Sequence, residues 1–286
     1  MIRVCVIDAF TRDPFGGNRA GVVYWADALP DGVVRRLPGE IASSETVFVY
    51  RPVGGVPRFR FVTPTGVEVD ACGHGTVAAL HALHEVGLVR EGLMRVTTNA
   101  GELVASVGGD PTYAIRMAET RVRPLEVERA RVAEALGVDP ADVDHAIPVA
   151  RVSVGLPWLM VPLKSVEAVL SARPKFESIR ALSVDLGAVG IYTFSGSGEF
   201  VARAFAPAIG VEEDPVTGTG AACLAAYASS YMRLEAVEVR QGHAFGRVGV
   251  VRAWVDEGGR AWIGGEAVTV IRGELALEPG QARRVA

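Results

Sequence analysis

The chain has 286 residues, 49% of them hydrophobic, which is enough for two medium domains with separate cores. Its net charge of −4, with no useful run of Lys and Arg, excludes an electrostatic footprint for nucleic acid. No apolar run approaches a membrane span, Met1–Asp8 has none of the marks of a signal peptide, and Cys5, Cys72 and Cys223 form no disulfide framework, so a reduced, cytoplasmic protein without a membrane partner is expected.

In chain order, strands are predicted at Arg3–Ala9 and Gly21–Trp25, around a turn-rich Pro14-Phe15-Gly16-Gly17-Asn18. Thr46–Tyr50 and Phe59–Val62 read as a hairpin across Gly54-Gly55. Thr76–Val86 is apolar on nearly every face and stops at Gly87, the pattern of a largely buried helix. Strands Arg95–Thr98, Glu102–Val107 and Tyr113–Met117 follow. The charged Ala118–Pro124 reads as a linker. After it come a polar helix (Leu125–Leu136), strands at Val152 and Trp158–Val161, a helix from Ser165, strands Val189–Phe194 and Glu199–Phe205, and a second small, apolar helix, Ala221–Met232. Final strands run near Ala261–Ile271.

The two halves repeat one phrase. Arg60-Phe61-Val62-Thr63-Pro64, then Gly66-Val67-Glu68, leads into Cys72-Gly73-His74-Gly75-Thr76; Arg203-Ala204-Phe205-Ala206-Pro207, then Gly210-Val211-Glu212, leads into Thr217-Gly218-Thr219-Gly220. Repetition half a chain apart predicts two like domains, residues 1–117 and 118–262, with 263–286 as closing strands returning to the first. The two helix starts offer unpaired N–H groups and a partial positive charge, and a site for a small carboxylate substrate is expected where they meet.

Several side chains could carry chemistry there. Glu45, before an apolar strand, is either a solvated charge or an acid/base. His74, between two glycines before a helix, is either a cap or a ligand-facing imidazole whose pKa the helix field should lower. Asp214 stands at the matching place in the second repeat, where an acidic cap would also be ordinary, and Thr219 and Gly220 add a hydroxyl and backbone N–H groups. Gly218-Thr219-Gly220 lacks the third glycine of a dinucleotide loop and has acidic residues upstream. His74, His81 and His84 match no metal spacing, and Ser195-Gly196-Ser197-Gly198 is no nucleophile elbow, so neither a metal nor a Ser-based triad is expected.

Asp8-Ala9-Phe10-Thr11, Pro14-Phe15-Gly16-Gly17-Asn18, Ser44-Glu45-Thr46, Phe61-Val62-Thr63-Pro64 with Cys72-Gly73-His74-Gly75-Thr76, and Glu213-Asp214-Pro215-Val216-Thr217-Gly218-Thr219, all in order, resemble the PhzF phenazine-biosynthesis family of cofactor-free isomerases. The resemblance implies an α+β diaminopimelate-epimerase-like fold of two pseudo-symmetric domains, each a β-barrel-like sheet around a central helix, and a homodimer. It implies Glu45 as the acid/base, His74 and Asp214 as the polar groups that orient substrate, and Asn18, Gly73, Gly75, Thr76, Gly218, Thr219 and Gly220 as substrate contacts. The implied reaction moves a proton between carbons of a small cyclic amino acid, as in isomerisation of trans-2,3-dihydro-3-hydroxyanthranilate, with no cofactor and with the pKa of Glu45 raised by burial.

The chain departs from the family in three places. Pro38-Gly39 should break the helix before Glu45, Gly75 stands where alanine or proline is usual, and Thr219 where serine is common. Racemases of the wider fold use a cysteine at each helix start; here Cys72 fills the first place and Thr217 the second. A one-cysteine epimerase or dehydratase of a cyclic amino acid such as hydroxyproline is the enzymatic alternative, and a ligand-binding module without turnover is the non-enzymatic one.

Overall fold

The computed structural model describes residues 2–277, so the end of the predicted closing segment, 278–286, lies outside the described residues. In chain order the elements are β1 (Ile2–Ala9), β2 (Asn18–Tyr24), α1 (Asp31–Ile41), β3 (Glu45–Val53), β4 (Val56–Val62), β5 (Glu68–Val69), α2 (Gly73–Glu85), β6 (Gly92–Thr98), β7 (Gly101–Val107) and β8 (Tyr113–Arg116). They continue with β9 (Arg121–Pro124), α3 (Arg129–Leu136), β10 (Ala150–Ser153), β11 (Pro157–Pro162), α4 (Val166–Ser171), α5 (Phe176–Asp185), β12 (Gly190–Ser197), β13 (Glu199–Ala206) and β14 (Val211–Asp214). The last are α6 (Gly218–Tyr231), β15 (Ala236–Gln241), β16 (Gly249–Val255), β17 (Ala261–Gly265) and β18 (Ala267–Leu275). Two compact units result, Met1–Ile115 with Gly264–Ala286, and Arg116–Ile263.

In the first unit β18 pairs antiparallel with β1, β1 with β2, β2 runs parallel to β3, β3 antiparallel to β4, β4 parallel to β6, and β6 antiparallel to β7. In the second, β9 pairs antiparallel with β10, β10 with β11, β11 runs parallel to β12, β12 antiparallel to β13, β13 parallel to β15, and β15 antiparallel to β16. The sequence of pairing senses is identical. Each parallel step needs a crossover, and helices fill them: α1 between β2 and β3, and α4 with α5 between β11 and β12; α2 and α6 occupy the second crossover of each unit. The fold is thus α+β with two pseudo-symmetric diaminopimelate-epimerase-like halves.

The second-crossover helix is the centre of each half. Helix α2 packs on β1, β2, β3 and β18 and buries His74–Leu80, Ala82 and Leu83; α6 packs on β9, β10, β11, β15 and β16 and buries Gly218 and Gly220–Ala228. The many Gly and Ala residues of both helices help here, since small side chains let strands approach closely from several directions. The strands are covered on both faces. In the first unit Val47 and Phe61 face α2, while Val23, Phe48 and Val62 join Val34 of α1 in a second core, which is why Thr46–Tyr50 is apolar without alternation. In the second, α3, α4 and α5 cover the other face through Val132, Leu136, Val169, Ile179 and Leu182 against Leu159, Val161, Ile191 and Phe205.

Both repeats carry the same ionic brace. Arg60 of β4 makes a bidentate contact with Glu68 of β5 at 2.7 and 2.8 Å, and Arg203 of β13 makes one with Glu213 of β14 at 2.8 and 2.9 Å. Each guanidinium then reaches a crossover helix. Arg60 donates to Asp31 at the start of α1, and Arg203 donates to the carbonyls of Val169 and Ala172 at the end of α4, where a cation suits the helix dipole.

Two expectations are corrected. The Pro38-Gly39 break does not occur, because α1 runs continuously to Ile41. Near a helix end the missing amide removes a single bond, the Pro38 ring is buried, and its carbonyl accepts from Ala42 N at 3.2 Å to close the last turn. Nor is Ala118–Pro124 a plain linker, since Arg121–Pro124 is β9, laddered to β10 from Arg121↔Ser153 to Pro124↔Ala150. Its exposed arginines carry no apolar period, and backbone pairing alone makes it a strand. Among the described residues, no helix is long and apolar enough to cross a membrane.

Candidate active site

The residues singled out in the sequence fall into two groups, one in each unit. In the first, α1 ends on Ala42, whose φ of 53° turns the chain sharply out of the helix. Ser43 secures the turn: its hydroxyl accepts from Gly21 N at 3.0 Å and donates to the Glu45 carbonyl at 2.8 Å. Ser44 donates to Oδ1 of the fully buried Asn18 at 2.8 Å. Glu45 then opens β3 opposite Ala20 of β2, so its backbone is held by that strand and by the Ser43 hydroxyl.

Cys72 is the N-cap of α2. Its Sγ accepts from Gly75 N at 3.3 Å, the place ordinarily taken by a Ser, Thr, Asp or Asn oxygen, and its carbonyl accepts from Thr76 N and from the Thr76 hydroxyl. Thr76 is fully buried with that hydroxyl proton committed within the helix. Gly75 suits a close approach, since a Cβ there would lie 3.0 Å from Cys72 Sγ and from Val47, and 3.2 Å from Phe61, and these side chains would have to give by a few tenths of an ångström.

His74 follows in the first turn and is 8% exposed. Its Nε2 lies 3.0 Å from Glu45 Oε2, which is buried and meets no hydrogen-bond geometry, so the contact is a close but bent ion pair. Cys72 Sγ lies 3.5 Å from His74 Nδ1 and 3.8 Å from Nε2.

Protonation follows from these distances, and it reverses two expectations. Burial raises the pKa of Glu45, but the His74 charge and contact outweigh it and hold the carboxyl below its ordinary 4.5. Burial likewise lowers the pKa of His74, yet the adjoining Cys72 sulfur and Glu45 carboxylate prevail and lift it well above 6.5. Glu45 rests as a carboxylate and holds the His74 imidazolium, whereas the sulfur's share of the His74 shift is expressed only where Cys72 ionises, and burial pushes that thiol up.

A pH dependence follows with a definite sign. Glu45, depressed in the fold, contributes stability above 4.5 that is lost as pH falls through its folded pKa; His74, raised in the fold, contributes stability fully present below 6.5 and lost as pH rises through its own. The stability gap between wild type and His74→Asn, measured by urea unfolding at a series of pH values, is therefore expected to be widest between 4.5 and 6.5 and to narrow on both sides. A gap independent of pH would show that the pair is not ionised in the fold.

In the second unit Asp214 ends β14, and its Oδ2 accepts from the Thr217 hydroxyl at 2.6 Å. Thr217 is the N-cap of α6 but makes no side-chain cap, because its hydroxyl is turned to Asp214. Behind them lies Gln241, at 1% exposure and absent from the residues expected in the sequence. Its Nε2 donates to the Asp214 carbonyl at 2.7 Å and to Thr217 Oγ1 at 3.0 Å, while its Oε1 accepts from Thr217 N and from Tyr192 OH, each at 3.2 Å. One amide thus locks the end of β14 to the start of α6. Thr219 accepts from the Trp158 indole at 3.1 Å, leaving its own proton to donate elsewhere. Gly218 and Gly220 are buried, and Gly220 admits Tyr192, whose ring a Cβ would meet at 2.2 Å.

The model of a family described as phenazine biosynthesis-like protein (PhzC-PhzF) matches residues 7–273. An uncharacterized isomerase of Deinococcus radiodurans is 36% identical over 271 residues, covering 90% of this chain and 87% of the relative. A PhzF-family phenazine biosynthesis protein of Bacillus anthracis superposes with a TM-score of 0.86 at 28% identity, covering 96% of this chain and 99% of that one. The fold extends further: a hydroxyproline epimerase from Agrobacterium vitis, with bound trans-4-hydroxy-L-proline, superposes with a TM-score of 0.61 at 13% identity over 97% of this chain and 92% of its own.

Proposed function

Because this chain belongs to the PhzC-PhzF, phenazine biosynthesis-like family, we propose that it is an isomerase in which Glu45 carries a proton between carbons of a small cyclic amino acid of the dihydro-3-hydroxyanthranilate type. The observation that supports this most is the close pairing of the half-buried Glu45 with the buried His74, 3.0 Å apart. A carboxylate is the form that can accept a proton from carbon, and the isomerase names of the curated relatives agree with such a step. In the resting pair Glu45 is a weak base. A substrate carboxylate that takes over the His74 imidazolium removes the influence that depresses Glu45 and leaves burial to raise it, so binding itself arms the base. Glu45 then takes a proton from one carbon, the electron pair left behind spreads through the substrate's conjugated system, and the neutral acid returns the proton to another carbon. Asp214, with the hydroxyl of Thr219, is assigned to orienting the substrate's polar groups.

A second reading is favoured by one observation, the 3.5 Å approach of Cys72 Sγ to His74 Nδ1. It makes Cys72 the proton-transfer group of an epimerase or dehydratase acting on a substrate such as hydroxyproline. Against it stand the raised thiol pKa and the hydroxyl of Thr217 where a second cysteine would be needed.

NMR in deuterated water separates the readings. With a dihydro-3-hydroxyanthranilate-like substrate and no added metal or nucleotide, relocation or exchange of a carbon-bound proton is expected; exchange only at the α-carbon of hydroxyproline would favour the second reading. Exchange on neither would sink proton transfer as the function.

A further inference from the structure

The geometry points to a further ligand for the Glu45, Cys72 and His74 cluster: we propose that these three side chains bind a borderline-soft divalent cation, zinc foremost, and that the bound ion shuts the site off. A carboxylate oxygen, an imidazole nitrogen and a thiolate sulfur are all zinc donors. Their donor atoms lie within 4.8 Å of one another, a convergence of three such side chains found nowhere else among the described residues.

Two of the three donor pairs stand near tetrahedral spacing, and the third, the Glu45 carboxylate and Cys72 Sγ, lies within 4.8 Å. With Zn–N and Zn–O near 2.1 Å and Zn–S near 2.3 Å, the donor–donor edges of a tetrahedron are about 3.4–3.6 Å. Nε2 of His74 is 3.0 Å from Glu45 Oε2 and 3.8 Å from Cys72 Sγ, so each edge that it shares needs an adjustment of only a few tenths of an ångström. Oε2 is buried with no hydrogen bond to give up. Cys72 and His74 share the first turn of α2, and Glu45 is held at the start of β3 by Ser43, so the donors arrive on rigid backbone. Three protein ligands leave a fourth position for water, the pattern of an accessible and exchangeable zinc.

Binding sends the protons of the Cys72 thiol and the His74 ring to solvent and leaves thiolate, neutral imidazole and carboxylate on the ion. Glu45 and His74 are then both occupied, and a bound ion competes with any substrate that needs them. The matching position of the second unit offers Asp214 and the hydroxyl of Thr217, without sulfur or imidazole. The inference does not depend on which substrate the site accepts.

Cobalt(II) added to metal-free protein is the direct probe, because it needs no substrate. The wild type is expected to show a thiolate-to-cobalt charge-transfer band in the near ultraviolet with tetrahedral ligand-field bands in the visible, and Cys72→Ser should lose the former. In competition with a chromophoric chelator, Cys72→Ser and Glu45→Gln should each weaken zinc binding on the order of tenfold or more, and His81→Gln should not. The absence of a thiolate band in wild type, its persistence in Cys72→Ser, or loss of binding in His81→Gln would overturn the proposal. If Cys72→Ser fails to fold, unchanged zinc affinity in Glu45→Gln overturns it equally. Failure of this experiment leaves the isomerase reading standing, and failure of proton exchange leaves this one.

Discussion

Replacing Glu45 with Gln is expected to lower the rate of proton relocation by about 10²- to 10⁴-fold, the usual worth of a positioned acid/base, while substrate affinity changes far less. Gln keeps the size of the side chain and removes both the titrating proton and the charge. His74 Nε2, 3.0 Å from Oε2 in the wild type, loses its charged partner and should become easier to deprotonate. Cys72→Ala should stay close to wild type, because a half-buried thiol with a raised pKa is protonated and so a poor base. Single-turnover exchange in deuterated water reads both variants. Equal exchange by wild type and Glu45→Gln would move the proton-carrying role to Cys72, whose sulfur is next to His74.

The second large effect concerns stability, and the repeat supplies its control. Arg203 is 7% exposed and Glu213 has only 15% of its side chain in water, so Arg203→Ala strands a buried carboxylate and the Val169 and Ala172 carbonyls together. Removing one partner of a buried pair costs about 3–5 kcal/mol. Arg60→Ala breaks the equivalent brace in the first unit, but there the third partner, Asp31, has 55% of its side chain exposed and can turn to water. Its loss should be smaller, about 1–2 kcal/mol. Urea unfolding of the two variants tests the comparison. Equal losses would mean that exposure of the third partner is irrelevant and that the strand-to-strand contact alone sets the brace's worth.

The central helices were legible because a helix apolar on nearly every face belongs in the interior, and Val77, Leu80 and Leu83 with the alanines between them leave only His81, His84 and Glu85 as a short polar edge near the end of α2. Their starts were harder to place. Gly73 and Gly75 disfavour helix, and the thiol that caps the first turn is an unusual cap, so α2 begins three residues before its apolar run. Strand β15 was missed because Val237 and Val239 are too short an alternation to stand out from turns. At the site, the residue types of Glu45 and His74 were readable, but the direction of their pKa shifts was not. That depends on a 3.0 Å approach across 29 positions of sequence, and a helix-field argument made for one residue alone omits it. Gln241 gave no signal at all. A lone glutamine at a strand end looks like surface, and only the four hydrogen bonds around it reveal what it joins.

The ladder from Ile2↔Leu275 to Ala9↔Ala267 has a consequence for synthesis on the ribosome. Every strand and helix wholly within Arg116–Ile263 is made in one uninterrupted stretch, so that unit has its partners as soon as its own length has emerged. The unit begun first is in the opposite position. Its strand β1 is among the earliest backbone made, yet one whole edge of it must wait for residues more than 250 positions later, and helix α2 lacks part of its cover for the same interval. The half that carries Glu45, Cys72 and His74 is therefore the last to close, and a nascent chain cut off before Ala267 would hold these residues on a sheet with an open edge, the kind of edge through which unfinished β-structure aggregates.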